Sequence, residues 1–148
     1  MSNSGKTDQS LRKFLLSAQG YKNGLNETDY KDRLIKINAL KIDLANLMAE
    51  NHLDAAVYPH QKRLPVPIGE YDQSERNGIL AALTGFPSIV VPAGFSASTD
   101  DAPRGVPVGI EFVGRPWSEP QLIRYTYGFE QATQARRMPA STPALARY

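Results

Sequence analysis

Few residues in this chain are of types that could do chemistry, and they stand far apart in sequence. There are two histidines and no cysteine among 148 residues. His52 falls near the end of a helical pattern, where a surface or capping role suits it. His60 follows the run Leu53-Asp54-Ala55-Ala56-Val57-Tyr58-Pro59, and the end of a strand is where α/β sheets gather binding residues. A Ser-His-Asp relay built on either histidine needs a serine brought close by folding. Gly94-Phe95-Ser96-Ala97-Ser98 comes nearest to a nucleophile elbow, but it lacks the closing glycine and leads into a polar loop instead of a helix. Glu111 stands in an otherwise apolar run, where an unpaired carboxylate is costly; pairing with Arg115 or an exposed strand face would relieve it. Trp117, beside Pro116, could line a pocket, but a large aromatic at a helix start more often packs as a staple.

Other chemistries have no local support. The sequence contains no HExxH, CxxC, Walker loop or GxGxxG, so no cofactor and no metal site is expected. A net charge of +2, with basic pairs only at Lys62-Arg63 and Arg136-Arg137, gives no footprint for nucleic acid or for a membrane surface. No stretch approaches the roughly 20 apolar residues that cross a bilayer, and the polar start has no secretory pattern. With cysteine absent, these features lead to the expectation of a soluble, cytoplasmic protein.

The elements that would position these residues follow from periodicity. Leu11, Phe14, Leu15 and Ala18 predict a short amphipathic helix over Ser10 to Ala18 that Gly20 stops. Tyr30, Leu34, Ile37, Leu40, Leu44, Leu47 and Met48 predict a long helix over Thr28 to Asn51, which Asn26 or Thr28 can cap. Residues 53 to 59 predict a strand ending at Pro59, and His60 to Gln73 an aperiodic surface loop. Asn77 to Leu83 reads as a short helix that Gly85 ends, with Thr84-Gly85-Phe86-Pro87 as the turn into Ile89, Val90 and Val91. That uninterrupted β-branched run predicts a strand buried on both faces, and Pro92 and Gly94 let the chain leave it. From Val106 to Phe112 apolar residues alternate with Pro107, Gly109 and Glu111, predicting a strand of mixed burial. The last helix starts at Ser118, which can form a capping box with Gln121, and turns Leu122, Thr126, Phe129 and Ala132 to one side.

This order predicts an α/β fold, with helices packed on a small mixed sheet and a crossover placing Val90 beside Val57. The expected organisation is a flexible tail over 1–9, a partial α/β domain over 10–135 and an irregular tail over 136–148, with prolines at Pro139 and Pro143.

Three stretches taken together carry a resemblance: LDAAVYPHQ, NGILAALTGFPSIVVPAGF, and GVPVGIEFVGRPWSEPQLIRYTYGFEQAT with ASTP beyond it. In that order they resemble the C-terminal part of amidase signature enzymes, and look most like the fungal-type members. The match covers roughly residues 8 to 143. The resemblance implies one large α/β domain around a mixed sheet and hydrolysis of amides by a Ser, cis-Ser, Lys triad. In such a triad a neutral lysine takes the nucleophile's proton through the bridging serine, while backbone N–H groups hold the oxyanion. No Gly-Ser-Ser, Ser-Ser pair or lysine before a Gly/Ser-rich stretch occurs here, so no catalytic residue is assigned. Ala82 also stands where many relatives carry an asparagine before the turn glycine.

What the resemblance implies is the region that completes the sheet and helps wall the substrate cleft, with Tyr58, His60, Thr84, Gly85 and Phe86 as candidate cleft residues. For Gly85, duty in the turn is the stronger reading. A chain of this kind would be silent by itself and would act on a small-molecule amide only within a complete enzyme. Its expected partner is a separate N-terminal amidase segment, or a second copy of itself through an exposed sheet edge. A standalone binding or assembly module is the alternative. A third reading is an independent enzyme using His60 with a serine that folding brings near.

Overall fold

The computed structural model describes residues 4–70, 75, 77–139 and 142, with side chains from residue 11 onward. The elements in chain order are α1 (Ser4–Gln19), a single 3-10 turn (Gly24–Asn26), α2 (Thr28–Glu50), β1 (Ala55–Pro59), α3 (Ile79–Thr84), β2 (Ser88–Phe95), β3 (Pro107–Gly114) and α4 (Glu119–Thr133). Helix α1 starts earlier than the periodicity from Ser10 indicates. Residues 71–73 of the expected loop, and 140, 141 and 143–148 of the expected C-terminal tail, lie outside the described residues.

Two compact units meet within α2, Met1–Leu40 and Lys41–Tyr148. In the first, most of the apolar positions that predicted the helices are exposed, Phe14 at 72% and Leu34 at 46%, while Ile37 and Leu40 are half-buried. In the second, the same stripe is used, and Leu44 and Met48 are buried against Phe86 and Val113. The sequence pattern is continuous along α2, but among the described residues its fully buried positions, Leu44 and Met48, fall in the second half.

The sheet has the order β1-β3-β2, with both pairings antiparallel. The expected neighbours Val57 and Val90 are therefore not adjacent: Val57 lies opposite Phe112 and Val90 opposite Glu111, with β3 between them. The polar connection Ser96–Val106 allows the hairpin that inserts β3 in the middle. Ser96 donates its N–H to the Val106 carbonyl, and its hydroxyl accepts the Val106 N–H. As an edge strand β2 is not buried on both faces, and Val90 stays 45% exposed. It also does not end at Pro92: it continues to Phe95 after a bulge between Pro92 and Gly94.

Period-2 alternation sorts the strands onto two faces. One carries Tyr58, Val113 and Glu111 beneath α2 and α3. The other carries Ala55, Ile89, Val91, Ile110 and Phe112 beneath α4, where Leu122 is 1% exposed and Phe129 meets Phe112 edge-on at 5.8 Å. Leu122 and Thr126 are buried as the helical spacing predicts, whereas Ala132 is exposed.

The backbone directions are equally ordered. The Pro87 carbonyl accepts from Gly114 N–H, and His60 N–H donates to the Gly109 carbonyl. Counting by alternate residues, Ser88, Val90 and Pro92 turn their backbone groups to the open side of β2, and Ala55, Val57 and Pro59 theirs to the open side of β1. Each proline thus places its missing N–H outward, the position a strand tolerates.

Helix α2 ends in a Schellman arrangement: Leu53 N–H donates to the Met48 carbonyl and His52 N–H to the Ala49 carbonyl, with His52 left-handed at φ 53°. His52 is thus a capping residue, as its position suggests. Arg115 adds its guanidinium to the same end, donating to the carbonyls of Met48 at 3.0 Å and Leu53 at 2.9 Å, where a cation suits the helix dipole. The expected Ser118–Gln121 capping box does not form. The Ser118 hydroxyl turns back to the Arg115 carbonyl at 2.7 Å, and the Gln121 amide donates to the Tyr125 hydroxyl. Nor is Trp117 a staple, because at φ 67° its side chain points outward and is 90% exposed.

Candidate active-site wall

Glu111 is the organising residue. It sits at the middle of the central strand, 2% exposed, between Tyr58 on β1 and Val90 on β2. A carboxylate so placed needs a partner. Arg115 does not supply it, being four residues on and committed to the end of α2, which corrects the expected pair. The partner is His60, whose Nδ1 lies 3.0 Å from Glu111 Oε2. An ionised carboxylate only accepts, so opposite that form of Glu111 the bond is donated by Nδ1.

The local chain explains why the ring stays there. His60 is the residue just past the proline that closes β1, and its N–H still pairs with Gly109. After the loop the chain returns alongside: Asn77 N–H donates to the His60 carbonyl, and the Asn77 side-chain amide to the Pro59 carbonyl at 2.7 Å. Next to it Gly78, before α3, leaves room for the imidazole, since a β-carbon there would fall 2.5 Å from His60 Cε1. The sequence pattern does not single out Asn77 and Gly78 for this role. Their only signal is that of a turn-forming pair immediately before a helix.

Tyr58 completes the cluster. Its hydroxyl oxygen is buried and has no hydrogen-bond partner among the described residues, although it faces Glu111 across the strand pair. Burial first, and then the Glu111 carboxylate, push its pKa from 10.0 up to about 12, so the phenol stays neutral.

The structure brings Tyr58 and His60 together around Glu111 and sets Thr84, Gly85 and Phe86 at the far end of α3. Thr84 is 2% exposed; its hydroxyl donates to the Leu80 carbonyl and accepts the Phe86 N–H. Gly85 adopts φ 69° and donates to the Ala81 carbonyl, the left-handed helix ending that favours glycine. Phe86 packs with Leu44, Met48 and Val113. Of the five, His60 alone has a polar atom without a hydrogen-bond partner among the described residues on a side chain that is about a third exposed (37%).

The arrangement can hold one imidazole in a fixed orientation through its Nδ1. Among the described residues no serine or lysine is hydrogen-bonded to His60. The Ser96 hydroxyl is consumed in its own turn, donating to the Ala97 carbonyl while accepting Val106 N–H, so the Gly94–Ser98 segment is no elbow. No helix among the described residues is long and apolar enough to cross a membrane.

The family model described as Amidase matches residues 3–123. The chain belongs to the Amidase family. A probable amidase of Arabidopsis thaliana is 37% identical over 117 residues, covering 78% of this chain and 19% of that protein. The A-type component of the glutamyl-tRNA(Gln) amidotransferase of an Exiguobacterium strain is 30% identical over 142 residues, covering 91% of this chain and 28% of that one. Among solved structures, PAM12A superposes with a TM-score of 0.66 at 32% identity, covering 89% of this chain and 28% of its own. The chain thus spans under a third of each of these relatives. Both the Glu111–His60 pair and the turn at Gly85 fall within the part that the Amidase model matches.

Proposed function

We propose that this chain is the C-terminal segment of a cytoplasmic amide hydrolase of the Amidase family, of the fungal type, and that it does not catalyse by itself. In this reading it supplies a wall of the substrate cleft, while the Ser, cis-Ser, Lys residues that break the C–N bond lie in another segment. The observation that carries it is the partial span: the Amidase model is matched over most of this chain, which covers only 19% to 28% of the relatives. The helical stripe left bare from Phe14 to Leu34 supports the same reading, since it is patterned for burial against something further.

Within the wall, the anchored imidazole of His60 is the group offered to a substrate, with Glu111 and Tyr58 as its buried backing. Thr84, Gly85 and Phe86 shape the cleft from behind by fixing the turn between α3 and β2. The partner is a catalytic amidase segment, and the amidotransferase relative is itself named as one component of a larger assembly.

Assaying the purified chain on small aryl amides tests the proposal, with no turnover expected. Turnover that survives extensive purification and disappears in Ser88→Ala or Ser96→Ala sinks it. Co-expression with the triad-bearing segment of a relative should restore activity, and His60→Ala in that pair should raise KM more than it lowers kcat. The second reading, a self-associating module, is favoured by the uncovered stretch of β2 around Val90. A concentration series by light scattering separates the two: a dilute monomer without a partner argues against self-association.

A further inference from the structure

A cleft of the second unit lies at the loop end of the β2–β3 hairpin, apart from Glu111 midway along β3. It encloses about 760 Å³, within the range of small-molecule pockets. Its floor is Phe95 and Pro107, a cross-strand pair at the end of the sheet. Pro103 and Arg104 line it from the hairpin loop, and Arg137 and Met138 from the segment after α4.

Both borders are held in place. In the loop Thr99 and Ala102 exchange backbone hydrogen bonds, the Thr99 hydroxyl accepts a second one from Ala102 N–H, and Gly105 N–H donates to the Ala102 carbonyl. On the other side Gln134 takes the left-handed conformation, φ 48°, and ends α4 with its N–H on the Glu130 carbonyl. The Arg137 guanidinium then lies 5.1 Å from the centroid of the Phe95 ring. Stacked on that face, a guanidinium keeps its N–H edge free to take a carboxylate.

The charged side chains that line the cleft are basic, while Asp100 and Asp101 stand in the same hairpin loop outside that lining. None of the described lining residues is acidic, and neither Arg104 nor Arg137 meets a carboxylate among the described residues. One guanidinium over the Phe95 ring and a second arginine in the lining, beside Pro107, suit a flat apolar body bearing one anionic group. We propose that this cleft binds a small aromatic carboxylate, held by Arg104 and Arg137 with its ring against Phe95 and Pro107. The site is separate from the amide-hydrolase reading and does not depend on it.

The test uses the full chain and two matched probes, 2-naphthoate and the neutral 2-naphthamide, followed by saturation-transfer and two-dimensional NMR. Naphthoate should bind, shift the resonances of Arg104, Arg137 and Phe95, and bind more weakly at high salt. Naphthamide should bind at least about tenfold more weakly, the scale of one lost charge-assisted hydrogen bond. Arg104→Gln and Arg137→Gln should each weaken naphthoate by about tenfold. Arg104→Lys, which keeps the charge, should recover part of that loss. Both arginines are exposed, so the variants should keep the far-UV circular dichroism of the parent. Equal binding of the two probes, no binding of naphthoate, or undiminished binding in the doubly substituted chain overturns the proposal. None of these readouts involves amide turnover.

Discussion

Strands β2 and β3 are both eight residues long and rich in β-branched and apolar side chains, yet the fold treats them differently. In β3 the run Glu111-Phe112-Val113-Gly114 is buried throughout, including its carboxylate. In β2 the more apolar run Ser88-Ile89-Val90-Val91 keeps every second residue exposed. The difference comes from position, because β3 has a strand on each side and helices on both faces, while β2 has a neighbour on one side only. Composition decides that a segment can be a strand; its place in the sheet decides how much of it water reaches.

The largest test of this contrast lies beneath β3. Met48→Ala removes a side chain that is 0% exposed and packs under Val113, and should cost about 3 kcal/mol in urea unfolding. Val90→Ala on the edge should cost under about 1 kcal/mol, and comparable losses at the two sites break the comparison. Next comes the carboxylate itself. His60→Ala leaves Glu111 buried without its partner and should cost about 2 kcal/mol, reduced from the fully buried case because the imidazole is partly exposed. Adding Glu111→Gln to that variant should recover part of the loss, because no buried charge is then left unpaired.

Tyr58 sharpens the same point through pH. Its pKa is raised in the fold, so the unfolded chain releases the phenol proton first, near 10, and the folded chain only near 12. The contribution is therefore complete below pH 10 and lost as pH rises from 10 to about 12. Tyr58→Phe should remove that part of the alkaline loss and the matching tyrosinate absorbance step, while leaving neutral-pH stability nearly unchanged. A smaller effect, of opposite sign, is expected at the end of α2: His52→Gly relieves a left-handed non-glycine residue and should stabilise by about 1 kcal/mol in thermal unfolding. Smallest of all, Val90→Thr should stay within about 0.5 kcal/mol, as on any open strand face.

Much of this was legible in the residues. The order of helices and strands, the α/β layering, the stop at Gly85 and the apolar side of α4 all follow from local spacing, and local spacing survives folding. What was not legible depends on contacts distant in sequence. The hairpin that inserts β3 between β1 and β2 exchanges the neighbours of Val57 and Val90 without altering either pattern. Glu111 could be recognised as a carboxylate needing a partner, but His60 is 51 residues away, and only the β1–β3 register brings them together. Arg115, the nearer choice, is drawn to the carbonyls of Met48 and Leu53. Helix endings divide in the same way: Gly85 announces its left-handed turn, whereas His52 and Gln134 adopt one with side chains that give little sign of it.

The prolines at the two open edges have a further consequence for how such a chain behaves in isolation. Among the described residues neither border of the three-stranded sheet is paired, which makes it a template on which further copies could lengthen the ladder. Here the outward N–H donors are interrupted at Pro92 on one border and Pro59 on the other, so the donors before those prolines are Ser88 and Val90, or Ala55 and Val57. Donor runs this short make each border a short seam for a neighbour that contributes its own core.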